Sequence, residues 1–152
     1  DGVPVKGSLD KVEFTGKQVT VVDYKTGKFR NAKEKLQRPT NEKPNGGDYW
    51  RQAVFYKLLI ENDRSKDWQV ISTQFDFIEP VSEGEYITEK ILISPEDVEI
   101  VREQIRTVYA KIQAHDFNTG CGKEECDWCH FVRSNFKQTG NIMEEAEEAD
   151  AN

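Results

Sequence analysis

The segment from Gly7 to Lys28, GSLDKVEFTGKQVTVVDYKTGK, constrains the fold more than any other stretch of the chain. Apolar and polar residues alternate through VPVKGSLDKVEF (3–14), as they do in a half-buried strand. The sequence QVTVVDYK (18–25) has the pattern of a second strand, and TGK between the two is a turn signal. The segment therefore predicts a β-hairpin that carries Asp10 on its first strand and Asp23 and Lys25 on its second.

The rest of the chain alternates between helix and strand patterns. One helix is predicted from about Tyr49 to Glu61 with Asp48 as its N-cap, and another over residues 94–115, where Ser94 caps the helix and Pro95 opens it. Strands are predicted over residues 67–80, ending at Pro80, and over residues 87–93. The apolar helix positions are Trp50, Val54 and Leu58, flanked by Phe55 and Leu59, and then Val98, Val101, Ile105, Val108 and Ile112. The order β-β-α-β-β-α predicts an α/β or α+β domain.

The length and the ends of the chain define the expected domain. The 152 residues suffice for one domain, predicted over residues 1–136 and followed by an acidic tail at 137–152 that we expect to be disordered. The chain begins with Asp1 instead of Met, so we expect it to be a piece of a longer protein. It has neither a signal peptide nor an apolar run long enough to span a membrane, which predicts a cytoplasmic location.

Basic residues are concentrated just after the hairpin, although the net charge of the whole chain is −7. The stretch from Lys25 to Lys43 holds seven basic residues and two acids, and we predict that residues 26–47 form one long loop. Such a local surplus of positive charge attracts polyanions more than the total charge would suggest. The candidate phosphate contacts are Lys28, Arg30 and Lys33, with Lys35, Arg38 and Lys43 beyond them. An ordinary solvated loop explains the same composition equally well.

The two hairpin aspartates and the lysine suggest a metal site. Antiparallel strands can bring Asp10 and Asp23 to one end of the sheet, where two carboxylates and the carbonyl of Tyr24 would offer oxygen ligands to Mg²⁺ or Mn²⁺. Lys25 shares the strand face of Asp23, because side chains on a strand repeat every two residues. An ammonium group there can orient a metal-bound water and stabilise developing phosphate charge. Solvated residues at a strand end are the alternative.

Three segments, taken in order, resemble a known family. They are GSLDK with Gly7, Asp10 and Lys11, then DYKTG (23–27), and then QAVFY with Gln52 and Tyr56. This order resembles the RecB-like branch of the PD-(D/E)xK nuclease superfamily, as fused to UvrD-type helicases in enzymes of the AddAB and RecBCD kind. The resemblance implies a restriction-endonuclease-like mixed sheet flanked by helices. It further implies that Asp10 and Asp23 bind metal, that Lys25 is catalytic, and that Gln52 and Tyr56 act beside them.

The resemblance also implies partners and a biological role. It implies DNA as substrate, helicase domains in the same or a partner chain, and exonucleolytic end processing in recombinational repair. The family pattern includes an upstream helix with a His or Glu ligand, and because the given sequence begins so close to the first motif we expect that helix to be missing from it. A non-catalytic DNA-binding or docking module that keeps the fold is therefore the alternative. Taken without the preceding motifs, Tyr56 would be a core aromatic and Gln52 an exposed polar residue.

Three cysteines, Cys121, Cys126 and Cys129, are spaced as C-x4-C-x2-C. An odd number within nine positions does not suit a disulfide framework and indicates a reducing compartment. A zinc site is one hypothesis because C-x2-C is common in zinc knuckles, although His130 directly follows Cys129 and is a poor fourth ligand. The resemblance suggests a second hypothesis, a 4Fe–4S cluster completed by an upstream cysteine. Reduced thiols without metal are the third.

Overall fold

The computed structural model describes residues 2–116, 120, 121 and 124–135. The chain divides into two compact units, Asp1–Arg106 and Thr107–Asn152. The strands are β1 (Lys11–Thr15), β2 (Gln18–Lys25), β3 (Gln69–Ser82) and β4 (Glu85–Leu92), and the long helices are α1 (Asp48–Glu61) and α2 (Pro95–Gln113). Short 3-10 turns cover Phe29–Asn31 and Lys33–Leu36, and a helix, α3, covers residues 127–135. None of the described helices is long and apolar enough to cross a membrane.

The four strands form one mixed sheet in the order β1-β2-β3-β4. The β1–β2 and β3–β4 pairs are antiparallel, whereas β2 and β3 run parallel and are joined by the segment that contains α1. A parallel pair needs such a crossover, because a tight turn can only join antiparallel strands. The predicted α+β class, with a mixed sheet and flanking helices, is confirmed.

The core lies between the sheet and the helices of the first unit. Trp50 of α1 is fully buried in one cluster with Phe75 and Phe77 of β3, while Val101 of α2 is buried in the same cluster. A second cluster joins the β2 valines to the next two turns of α1; its buried members are Val19, Val21, Tyr56, Ile60 and Val70. The odd-numbered positions of β2 face α1, because Val19 and Val21 pack in this cluster and Asp23 contacts Tyr56.

The hairpin is confirmed, but its first strand is shorter than predicted. Residues 3–9 do not belong to a strand, and Asp10 lies at a bend immediately before β1. The prediction that Pro80 ends the third strand is also wrong, because β3 continues to Ser82. The register of β3 against β4 is interrupted between Phe77 and Ser82. Proline, which cannot donate a ladder hydrogen bond, is tolerated at such an irregularity.

The two helices begin differently. The N-cap of α1 is Gly47 and not Asp48 as predicted, and no side chain caps this helix. The N-cap of α2 is as predicted: Ser94 Oγ accepts from the Asp97 amide at 3.2 Å, and Asp97 Oδ2 accepts from the Ser94 amide at 2.9 Å. The expected apolar stripe of α2 holds only in part, because Val108 is 57% exposed and Ile112 is 48% exposed.

The segment between β2 and α1 has no α-helix or β-strand, as the prediction of one long loop over residues 26–47 requires, but it includes the two short 3-10 turns and packs against the core. Ala32, between the two 3-10 turns, is buried in the main core cluster. Arg38 donates to the Asp97 carboxylate from Nε and Nη2 at 3.0 Å and to the Leu92 carbonyl at 2.7 Å. Trp50 Nε1 also donates to Asp97, at 3.3 Å. Contacts with distant parts of the chain therefore hold this segment, which local composition cannot reveal.

Candidate active site

The hairpin brings the two predicted metal-binding aspartates to the same end of the sheet. Lys11 pairs with Val22 in the antiparallel ladder, so Asp10, one residue earlier, lies beside the C-terminal end of β2. Its Oδ2 accepts a hydrogen bond from the Tyr24 amide at 3.0 Å. Asp10 is exposed, whereas Asp23 is only 4% exposed. One carboxylate thus faces solvent while the other is buried beside helix α1.

Three protein groups donate to the buried Asp23 carboxylate. Lys25 Nζ lies 2.8 Å from Oδ2, and the Tyr56 hydroxyl donates to Oδ1 at 2.5 Å. Gln52 Nε2 donates to the same Oδ1 at 3.1 Å. A buried charge requires such partners because water no longer solvates it. The arrangement holds an anionic carboxylate in one fixed orientation.

Gln52 connects the other members of this network. Its Nε2 donates to the Tyr56 hydroxyl at 2.6 Å, and its Oε1 accepts from Lys25 Nζ at 2.7 Å. Gln52 and Tyr56 are four residues apart on α1 and therefore point from the same helix face. The family resemblance predicted that Asp23, Lys25, Gln52 and Tyr56 act in one site, and the structure brings these four side chains into direct contact.

The environment of Tyr56 keeps its hydroxyl protonated. Burial raises the pKa of Tyr56 strongly, and the hydrogen bond to the Asp23 carboxylate raises it further, because a second negative charge there would be repelled. Tyr56 is therefore a hydrogen-bond donor to Asp23 and not a base. As a protonated donor, Tyr56 orients the Asp23 carboxylate and adds no second negative charge beside it.

Two aromatic rings also lie close to the Lys25 ammonium group. Nζ lies 4.3 Å from the centroid of the Tyr49 ring and 5.2 Å from that of Phe75. The Tyr49 and Phe75 rings stack with centroids 5.4 Å apart. Both rings offer negative π faces to the cation. Tyr49 was not predicted as a site residue. It lies three residues before Gln52 and seven before Tyr56, and this spacing places it on the same face of α1.

The oxygen donors of Asp10 and Asp23 suit a hard divalent cation. Mg²⁺ and Mn²⁺ prefer carboxylate, carbonyl and water oxygens, and an ionised carboxylate has lone pairs beyond those used by three donors. In the part of the chain that the structure describes, no third His, Cys, Asp or Glu joins these two carboxylates in a three-ligand group. The site therefore fits a metal that shares its remaining positions with water, a backbone carbonyl or the substrate. Ligation by the Tyr24 carbonyl stays a prediction.

The basic residues after β2 separate into different environments. Arg38 is bound to Asp97, and Lys43 pairs with Glu34 at 2.6 Å. The three residues predicted to bind DNA are exposed; they are Lys28, Arg30 and Lys33. Among them, Lys33 Nζ lies 5.7 Å from the Phe29 ring centroid. Their role in DNA binding stays a prediction.

The three cysteines form a second candidate metal site, in the unit Thr107–Asn152. Their Sγ atoms all lie within 4.8 Å of one another, and Cys121 Sγ is 3.4 Å from Cys129 Sγ. Among the described residues, none of the three cysteines is joined in a disulfide. The Nε2 atom of His130 contacts the Glu124 carbonyl oxygen at 2.7 Å. The cluster can supply three thiolate ligands to zinc or to an iron–sulfur cluster.

The predicted acidic tail, residues 137–152, lies outside the described residues.

Comparison with protein families gives a match to the PD-(D/E)XK nuclease superfamily over residues 1–134. Comparison with curated proteins and with solved structures gives no match. The matched range includes both candidate metal sites and every element of the sheet.

Proposed function

The chain belongs to the PD-(D/E)XK nuclease superfamily, and on this premise we propose that it hydrolyses phosphodiester bonds in DNA with the help of a divalent metal. Enzymes of this superfamily are generally metal-dependent nucleases. The observation that carries the proposal is the contact network of Asp23, Lys25, Gln52 and Tyr56. Holding a carboxylate and an ammonium group together at a strand end with little access to solvent costs free energy, and a catalytic site is one reason to retain such a pair.

In this proposal, Lys25 donates a hydrogen bond to the attacking water or to the phosphate. Its ammonium group has three N–H donors, of which one points to Asp23 and one to Gln52. The third can donate to a water or to a phosphate oxygen. A donor fixed in advance stabilises developing negative charge without reorganisation during the reaction. Gln52 and Tyr56 are positioning residues, because they hold Asp23 and Lys25 in place.

Asp10 and Asp23 are the residues that would hold Mg²⁺ or Mn²⁺. Bound there, the metal would lower the pKa of a water molecule and neutralise charge on the phosphate. The protein's own contribution is the orientation of the two carboxylates: the Tyr24 amide fixes Asp10, while Tyr56 and Gln52 fix Asp23.

We further propose that the chain belongs to the RecB-like branch and works beside a helicase. The support is the pair Gln52 and Tyr56, which contact the predicted catalytic residues as the resemblance to that branch implies. Its role would then be exonucleolytic processing of DNA ends during recombinational repair in the cytoplasm. Exonuclease action requires a free end, so covalently closed circular DNA should resist cleavage.

For the cysteines, we propose that Cys121, Cys126 and Cys129 ligate a metal. Their convergence within 4.8 Å supports this proposal, because three sulfur ligands at this separation can reach one metal ion. Visible absorbance of the purified protein with stoichiometric iron would identify a cluster, and stoichiometric zinc without colour would identify a zinc site. A protein that contains neither metal after anaerobic purification would overturn this proposal.

The test of the nuclease proposal is cleavage of end-labelled linear and single-stranded DNA, with closed circular DNA as a third substrate. We expect Mg²⁺ or Mn²⁺ to be required, chelation to stop the reaction, and Lys25→Ala to lower the rate by at least about 100-fold, the scale of one lost transition-state donor. Lys66→Ala is the matched control, because Lys66 also lies over an aromatic ring, that of Trp68 at 5.1 Å, and lies outside the network around Asp23. Equal cleavage by both variants would refute the assignment. DNA binding without any cleavage would favour a non-catalytic binding module.

A further inference from the structure

The ammonium groups of two lysines lie over the Tyr49 ring, and only one of these lysines belongs to the network around Asp23. Lys25 Nζ lies 4.3 Å from the ring centroid and Lys35 Nζ lies 5.3 Å from the same centroid. The two ammonium groups are therefore less than about 10 Å apart, which is one Debye length at about 0.1 M salt, so their charges are not screened from each other. Bringing two cations this close costs free energy, and the Asp23 carboxylate beside Lys25 offsets only part of this cost.

Gly47 is the reason why Lys35 lies beside the start of α1. A Cβ atom at position 47 would come within 2.2 Å of the Lys35 carbonyl oxygen and 2.6 Å of the Glu34 carbonyl oxygen. The second 3-10 turn, Lys33–Leu36, can therefore pack against the helix start only because residue 47 has no side chain. This close approach places Lys35 next to Tyr49, two residues after Gly47.

The charges of the two lysines are compensated differently. Lys25 is paired with the buried Asp23 carboxylate at 2.8 Å. Lys35 is exposed, and among the residues that the structure describes no carboxylate lies within salt-bridge distance of it. The positive charge of Lys35 is therefore available to an anion that approaches the active site from solvent.

We propose that Lys35, supported by the Tyr49 ring, binds the backbone phosphate adjacent to the one that is cleaved. This subsite rests on the proposed nuclease function and names a contact within it. A DNA strand presents a row of evenly spaced phosphates, so a strand whose scissile phosphate lies at Lys25 brings a neighbouring phosphate toward Lys35. Phosphate contacts of this kind set the register of the strand without reading its sequence. Tyr49 is a positioning residue that holds both ammonium groups through its π face.

The first experiment measures DNA binding in the absence of cleavage. A fluorescein-labelled oligothymidylate is titrated with the unchanged chain, Lys35→Ala and Lys66→Ala in EDTA, and fluorescence anisotropy gives Kd at several salt concentrations. We expect Lys35→Ala to weaken binding about two- to fivefold, as for an exposed ion pair. The slope of log K against log salt should fall in magnitude by about 0.7, the contribution of one phosphate contact on a single strand. Lys66→Ala should change neither quantity.

The second experiment locates the phosphate. Oligonucleotides with a single neutral methylphosphonate, moved one position at a time, are bound to the unchanged chain, Lys25→Ala and Lys35→Ala. In the unchanged chain, a methylphosphonate at a contacted position should weaken binding. We expect this loss of affinity to disappear at one position in Lys35→Ala and at the neighbouring position in Lys25→Ala. Tyr49→Phe keeps the ring and should bind like the unchanged chain, whereas Tyr49→Leu should lose binding as Lys35→Ala does.

These results separate the subsite from the nuclease proposal. The subsite is overturned if Lys35→Ala binds DNA as well as Lys66→Ala does. It is also overturned if the methylphosphonate position that no longer matters in Lys35→Ala is remote from the one that no longer matters in Lys25→Ala. Both conclusions hold even if the chain cleaves DNA. Adjacent positions for the two lysines support the subsite even if no metal-dependent cleavage is found, in which case the nuclease proposal fails alone. An unchanged chain that does not bind the oligonucleotide at low salt overturns the subsite.

Discussion

Replacing Asp97 with asparagine should destabilise the fold more than any substitution of an exposed acid on the same helix. The Asp97 carboxylate is 3% exposed and accepts from the Arg38 guanidinium, the Ser94 amide and the indole of Trp50. It thereby joins three parts of the first unit: the segment before α1, α1 itself and the start of α2. The Asp97→Asn substitution would keep the size of the side chain and remove its charge.

The magnitude follows from the partners that would be lost. Removing one member of a buried ion pair costs about 3–5 kcal/mol, because the other charge is left without compensation. The Arg38 side chain is 55% exposed, so water can solvate it after the substitution and the cost falls toward the lower end. Asparagine can still accept one of the remaining hydrogen bonds. We therefore expect a loss of about 2–3 kcal/mol in the free energy of unfolding.

The same contact predicts a pH dependence of stability. Burial alone would raise the pKa of Asp97, but hydrogen bonds from Arg38 and from the Ser94 amide outweigh it and hold the pKa below its usual range. The contribution of this group is therefore fully present above the unfolded-state pKa of about 3.9 and is lost as pH falls through the lower folded-state value. Between the unchanged chain and Asp97→Asn, the difference in stability should be constant near neutral pH and shrink below about pH 4.

Urea unfolding followed by tryptophan fluorescence measures this difference, because Trp50 is fully buried. With an m-value of about 2 kcal/mol/M, the midpoint should fall by about 1–1.5 M at neutral pH. Glu103→Gln is the control, since Glu103 is exposed on the same helix and pairs with Arg106 at 3.4 Å; its midpoint should move by less than about 0.3 M. Equal midpoints for the two variants would refute the assignment of Asp97 as the link between the three segments.

Two further predictions concern the contacts that position the site. Tyr56→Phe removes a hydrogen-bond donor to Asp23 and should lower the cleavage rate by about 10- to 100-fold, which is the value of one hydrogen bond to a charged group. Circular dichroism should show that this variant is still folded. An unchanged rate would show that Asp23 does not need this donor. Gly47→Ala should destabilise the chain by about 1–3 kcal/mol, because its Cβ would overlap the Lys35 carbonyl. Gly27→Ala, whose Cβ would meet no atom within 4 Å, is the control in thermal unfolding, and equal melting temperatures for both would contradict the close contact at Gly47.

Local patterns predicted the features of the site that depend on residues near one another in the chain. The alternation of a strand placed Asp23 and Lys25 on one face, whereas the place of Gln52 and Tyr56 beside them came from the family resemblance. The hairpin turn brought Asp10 to the end of β2. The two predictions for the hairpin need only the periodicity of one element and one short connection.

The features that were missed depend on distant contacts. The segment of residues 26–47 has the composition of a loop, but Arg38 binds Asp97, which is 59 residues away, and this contact orders the segment. The role of Gly47 as N-cap was not predicted either, because the neighbouring Asp48 belongs to a residue type that caps helices at least as often. Pro80 was taken as the end of a strand, since its lack of an N–H is evident from sequence whereas the interrupted register that tolerates it is not.

The most direct test of the central claim is the single-turnover cleavage rate of labelled linear DNA as a function of Mn²⁺ concentration. Asp10→Asn should raise the Mn²⁺ concentration needed for half the maximal rate, because one carboxylate ligand is lost, and should recover much of the rate at high Mn²⁺. Lys25→Ala should leave this half-saturating concentration nearly unchanged and stay slow at every concentration, because the lysine acts on the water and the phosphate. A Lys25→Ala variant that high Mn²⁺ restores, or an Asp10→Asn variant with an unchanged metal requirement, would contradict the account.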